Sequence, residues 1–218
     1  MDIRQQVFFA EFIGSCFLVM IIVGSGLMAE NLTNDIALML VANTLATGAG
    51  LFILINVFYD LSGAHFNPFV SFAMFLTKKL KKNLLPIYII AQLSGCLLGV
   101  GLANFFFEQQ IYELSTKSRD GIYIFVSEIV ATLGLILIIF GSIKSNKFAI
   151  ASNVSLYIVA GYWFTSSTSF ANPAVTIARS FTNSFTGINF TNVPFYILAE
   201  LLGMLIALYI VKKIFYIR

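Results

Sequence analysis

Charge is what this chain has least of. Of its 218 residues only 11% are Asp, Glu, Lys or Arg, against 59% hydrophobic, and the mean hydropathy is +0.90. That balance excludes a soluble domain, which would have too few polar groups to cover its surface. Histidine occurs once, as His65, and cysteine twice, as Cys16 and Cys96. Both cysteines lie inside apolar runs, which argues against a disulfide framework. Nothing gathers into a metal-ligand cluster, a nucleophile–base pair or a phosphate-cradling loop, so no enzyme, metal, cofactor or nucleic-acid partner is expected. A cleavable leader is not expected either, because the first apolar run carries Glu11 near its start and no convincing cleavage site follows it. Proline, with four residues, is the most informative scarcity.

What is present is a series of apolar runs. Residues 7–28, 36–58, 84–107, 122–143, 148–164 and 193–211 are each long enough to cross a bilayer, at roughly 20 residues per crossing. Two more, 67–77 and the run after Asn172, cover only half that distance. Each half-length run opens on an Asn-Pro pair, Asn67-Pro68 and Asn172-Pro173. Asn is a good N-cap and Pro is pre-set for the first helical position, so each pair predicts a helix start inside the membrane. The chain ahead of each is irregular in composition: Gly-containing at 60–66, rich in Ser and Thr at 165–171.

The landmarks recur in order. Glu11, Asn67-Pro68, Pro86 and the run 91–95 match Glu128, Asn172-Pro173, Pro194 and the run 199–203, and all four prolines fall on these landmarks. The sequence thus predicts a single membrane domain, all-α, made of two repeats at about 1–110 and 118–218. Three crossings per repeat invert the second copy relative to the first. Cytoplasmic termini place Arg4, Lys78, Lys79, Lys81, Lys82, Lys144, Lys147, Lys212, Lys213 and Arg218 inside and only Lys117, Arg119 and Arg179 outside, as the positive-inside rule asks. The four lysines after the first half-helix also suit contact with anionic lipid.

Irregular backbone at membrane depth is tolerated only where protein buries it or where it lines a watery cavity. Two half-helices meeting by their N-termini would place about half a positive charge each at the midplane, disfavouring cations and protons. Asn67 and Asn172 fit a double task there, each capping its helix by side-chain oxygen and leaving its amide NH₂ to donate into a pore. A passive channel for water and small uncharged solutes follows. A coupled transporter, the alternative from inverted repeats, would call for midplane carboxylates, and both half-helices lack acids. A closed-pore structural membrane protein is the remaining class.

Residues 62–68 (Ser-Gly-Ala-His-Phe-Asn-Pro), 171–174 (Ala-Asn-Pro-Ala) and 10–14 (Ala-Glu-Phe-Ile-Gly) together resemble the signatures of the major intrinsic protein family, the aquaporins and aquaglyceroporins. The resemblance implies an aquaporin-like inverted repeat of six membrane-spanning helices and two re-entrant half-helices, with a pore in every subunit of a homotetramer. It implies a midplane built from Asn67, Pro68, Asn172, Pro173 and Ala174. It also implies that Glu11 and Glu128 brace the re-entrant loops, with Glu200 in the place of Gln92. His65 is expected to fix the first loop by hydrogen bonding.

Two departures from the family pattern stand out. Phe69 occupies a position that is usually Ala; packing is the favoured reading over narrowing of the pore. Val175 stands where the family carries an Arg of the outer filter, and the other filter positions carry over to Thr47, Ala160 (or Gly161) and Ser169. That set predicts a wide, uncharged filter passing glycerol- or arsenous-acid-sized solutes, with a strict water channel as the alternative. Arg179, one turn beyond Val175, either supplies positive charge at the outer vestibule or snorkels to the headgroups. The run 172–179 (Asn-Pro-Ala-Val-Thr-Ile-Ala-Arg) resembles a bacterial branch associated with arsenic handling, which implies a bacterial inner (plasma) membrane with both termini cytoplasmic.

Overall fold

The computed structural model describes residues 2–214; Arg218, counted above among the inner basic residues, lies outside them. Eight α-helices run α1 Ile3–Leu32, α2 Ile36–Ser62, α3 Pro68–Leu76, α4 Leu85–Phe106, α5 Ile122–Ser142, α6 Lys147–Phe164, α7 Pro173–Arg179 and α8 Val193–Ile214, with a short 3₁₀ turn over Phe190–Asn192. Among the described residues α1, α2, α4, α5 and the stretch Phe190–Ile214 are long and apolar enough to cross a membrane. The sixth long helix, α6, has 18 residues, about 27 Å at 1.5 Å each, and is diluted by Lys147, Ser152, Asn153 and Ser155.

The helix starts are written in side chains. Asp35 and Asn146 accept the first free N–H groups of α2 and α6, and Asn67 and Asn172 do so for α3 and α7. Pro68 and Pro173 follow at the first helical position, where a missing N–H is no loss. The first irregular stretch is shorter than its composition suggested. Helix α2 continues to Ser62 and stops at Gly63, whose φ of 85° lets its N–H turn back to Tyr59 O at 2.7 Å.

Helices α1 and α4 pack along their length, as do α5 and α8, and α2 lies against α6. Each of the first two seams is set by a glycine. A Cβ on Gly95 would stand 2.3 Å from Phe12 O, and one on Gly203 would stand 2.4 Å from Ile129 O, so only glycine lets the backbones meet. Gly99 repeats the contact against Cys16 O, whereas Gly101 faces the loop residue Tyr112. Both short helices pack on α4 and α8 and touch each other, which puts their N-termini side by side in the middle of the bundle.

A meeting of two straps on one cavity

The chain ahead of each short helix is a narrow strap in strained backbone. Ala64 and Phe66 in the first, and Thr168, Ser169 and Ala171 in the second, have φ between 47° and 61°, a region that side-chain-bearing residues rarely occupy. Buried carboxylates hold these conformations. Glu11 accepts from Ser62 Oγ (2.5 Å), His65 N (3.0 Å), Phe66 N (2.7 Å) and Gln92 Nε2 (2.8 Å). Glu128 accepts from the N–H groups of Phe170 and Ala171. Glu200 matches Gln92 in part: each bonds the hydroxyl four residues past its asparagine, Gln92 Nε2 donating to Ser71 Oγ (2.9 Å) and Glu200 accepting from Thr176 Oγ1 (2.7 Å). Where Gln92 donates to Glu11, however, Glu200 accepts from Asn172 N (3.1 Å). His65 bonds Ser71 Oγ at 3.0 Å and lies against the Tyr88 ring at 4.7 Å.

The two asparagines then interlock. Asn67 Oδ1 caps α3 through Phe69 N and Val70 N while its Nδ2 donates across to Ala171 O at 2.6 Å. Asn172 Oδ1 caps α7 through Ala174 N and Val175 N while its Nδ2 donates to Phe66 O at 2.8 Å. Neither NH₂ is therefore wholly free for a solute, contrary to the expectation from sequence: one hydrogen ties down the opposite strap, and one remains.

Both asparagines line a cavity with about 100 Å³ open to the centre of a water molecule. Two stripes at four-residue spacing form much of its wall, Thr47, Leu51, Ile55 and Tyr59 from α2 and Ile150, Val154, Ile158 and Tyr162 from α6, with shorter stretches from α1 and α5, the straps, Val70, Met74 and Val175 completing it. Polar groups on the walls are few and localised, so a solute meets hydrogen-bonding groups chiefly at the straps and at the α7 end.

Thr47, Ser169, Val175 and Arg179 all reach this cavity. Ala160 does not. It is exposed on the outer face of α6, and its neighbours Ile158 and Tyr162 take the inward places, with the Tyr162 hydroxyl 3.3 Å from Thr47 Oγ1. Gly161 is buried beside Ser169, where a Cβ would stand 2.7 Å from Oγ. The 150–154–158–162 spacing was the signal that locates this wall. Pro68, Pro173 and Ala174 are buried at the short-helix starts without lining the cavity. Phe69 also stays off it and packs against the apolar cluster that includes Val70, Ala73 and Tyr88, in line with packing rather than narrowing.

Arg179 does not snorkel, being only 2% exposed; it stands on the cavity wall, so the α7 end carries charge although the Val175 position itself does not. Its Nε donates to Thr186 O at 2.5 Å and its guanidinium lies 3.5 Å from the Phe170 ring centroid. Arg119, from the 107–121 connection, sits 5.1 Å from the same ring. No residue pattern points to that approach, because residue 119 precedes α5 and only the folded loops bring it back.

Fold and cavity define the class: a helical membrane channel with a mostly apolar interior. The chain belongs to the major intrinsic protein family, whose sequence profile matches residues 2–166. It is 47% identical over 203 residues to "Aquaglyceroporin AqpS" of Rhizobium meliloti (strain 1021), covering 93% of this chain and 87% of that protein. It is 28% identical over 203 residues to "Nodulin-26" of Glycine max, covering 89% and 72% respectively. The X-ray structure of the aquaglyceroporin from Plasmodium falciparum superposes with a TM-score of 0.76 over 97% of both chains at 22% identity, which bears on the fold alone.

Proposed function

We propose that this chain is a passive channel for water and small uncharged solutes, wide enough for glycerol or arsenous acid and closed to protons. The observation that carries the reading is the interlock of Asn67 and Asn172, which fixes two helix N-termini and two donor N–H groups around one point of the cavity. A hydrated proton there faces two aligned partial positive charges, while a neutral oxygen accepts hydrogen bonds. Width is supported by Val175, a medium apolar side chain where the family pattern has an Arg, and by Thr47 and Ser169, no larger than medium, on the same cavity. The name of the relative, aquaglyceroporin, is in keeping with a polyol-sized path.

The same reading takes 1–110 and 118–218 as inverted repeats, supported by the matching strap strain, the paired carboxylates and the parallel stripes on α2 and α6. It places both termini on the cytoplasmic side of a bacterial plasma membrane, on the charge bias, and assembles the subunits as a homotetramer. Stopped-flow light scattering on proteoliposomes, with water, glycerol and arsenous acid run separately, tests it. Flux of all three is expected, and water flux alone overturns the wide path. In Val175→Arg the larger solutes should fall first, by tenfold or more, while water falls less. Equal loss of all three would remove Val175 from the constriction.

A further inference from the structure

A fully buried cation in a protein normally has a carboxylate partner. Arg179 has none. Among the described residues the one ion pair within 4.0 Å joins Lys147 to Asp60 on the other side of the molecule, and Arg179 donates only through Nε, to Thr186 O. Its two Nη groups stand on the cavity wall without a protein acceptor.

The surroundings are as one-sided as the residue. Arg119 shares the Phe170 ring, and its own donors are taken by backbone and hydroxyl: Nε to Gly187 O (2.8 Å), Nη2 to Phe185 O (3.2 Å) and Nη1 to Thr168 Oγ1 (3.4 Å). Lys117 Nζ donates to Phe185 O at 2.5 Å. The nearby acids are engaged elsewhere. Glu128 accepts strap N–H groups, Glu30 accepts Phe185 N, Asp120 accepts Ser118 Oγ and Glu113 accepts from Asn183. Three cations thus gather around one mouth, with no carboxylate within ion-pair distance of any.

The chemistry of the side chain points the same way. A guanidinium fork on the cavity wall, backed by two further positive charges, matches a small oxygen-bearing anion. A neutral polyol would meet the donors but leave the charge unanswered.

We infer that the Arg179 end of the cavity is a binding site for a small oxyanion, held by the Arg179 Nη groups and favoured by the charges of Arg119 and Lys117. Arg119 acts here as a positioning residue, since its hydrogen bonds tie the loop carbonyls that frame the mouth. The site stands whether or not glycerol is a solute of the channel, because binding is read without transport.

The test uses the full chain in detergent, with acetate and inorganic phosphate as probes and glycerol as the neutral control, all at one ionic strength balanced with chloride. Calorimetric titration should give saturable binding of at least one anion, with glycerol at least tenfold weaker. Arg179→Gln should weaken anion binding tenfold or more. Arg179→Lys, which keeps the charge and loses the fork, should fall between wild type and Arg179→Gln. Equal affinities in wild type and Arg179→Gln, or glycerol binding as tightly as the anions, would overturn the site. If Arg179→Gln shows no cooperative unfolding, Arg179→Lys decides, and unchanged affinity in it rejects the proposal.

Discussion

Asn67 and Asn172 each hold the strap that the other terminates: Asn67 Nδ2 donates to Ala171 O at 2.6 Å, and Asn172 Nδ2 to Phe66 O at 2.8 Å. Each side chain therefore does two jobs, capping its own helix and fastening its neighbour's backbone. Replacing either by Ala removes a cap, worth about 1 kcal/mol, and a buried hydrogen bond of similar size, leaving a carbonyl unsatisfied. Asn67→Ala and Asn172→Ala should each lose about 2–3 kcal/mol, read as a lowered unfolding midpoint in detergent. The double variant should lose less than the sum, because each single change already loosens both straps. Strict additivity would mean that the crossed bonds are independent.

Gly14 and Phe66 form the second pair to test. Phe66 is only 1% exposed, and a Cβ on Gly14 would stand 1.9 Å from its ring. Gly14→Ala should force the ring and its left-handed backbone to move, with an overpacking penalty of about 1–3 kcal/mol. Adding Phe66→Leu should recover part of that loss. Thermal unfolding of the two single variants and the double gives the coupling directly, and no recovery would place the penalty elsewhere on α1.

Lys117 gives a pH signature at the mouth. Burial, followed by Arg119 and Arg179, pulls its pKa down to about 8, with Glu30 opposing. The ordinary lysine value is 10.5, so between about 8 and 10.5 the unfolded chain holds a proton that the folded chain has released. Stability from this group accordingly rises with pH across that window and is lowest below it. Because the side chain is only half-buried, screening leaves about 0.5 kcal/mol. Lys117→Met should remove that much of the rise in unfolding free energy between pH 7 and pH 10. A variant curve parallel to wild type would show that Lys117 does not titrate in this range.

Much of the architecture is legible in the residues because caps and apolar lengths act locally. Asn-Pro ahead of a short apolar run forces a helix start wherever it falls, so α3 and α7 begin as the sequence requires. Glu11 and Glu128 were legible for a related reason, since a carboxylate at membrane depth needs buried donors and the strap N–H groups are what lies nearby. What sequence hid was set by geometry across the bundle. The straps bend at Ala64, Phe66 and Ala171, none of them glycine, so no residue type announces the strain. Ala160 was misplaced because carrying a position over from a family pattern ignores local phase, and two residues are more than half a helical turn. Arg119 and Arg179 meet on Phe170 only through the folding of two surface loops on each other.

The interlock of the two straps also bears on how the chain is made. Phe66 O and Asn67 Nδ2 have their partners 104 to 106 residues further along, at Ala171 and Asn172. Synthesis and insertion proceed from the N-terminus, so the first half must wait in the bilayer with its strap unfastened until nearly four-fifths of the chain has been made. During that wait Glu11, backed by Gln92, Tyr88 and His65 of the same half, holds the strap in shape, which makes a residue remote from any solute a guardian of assembly.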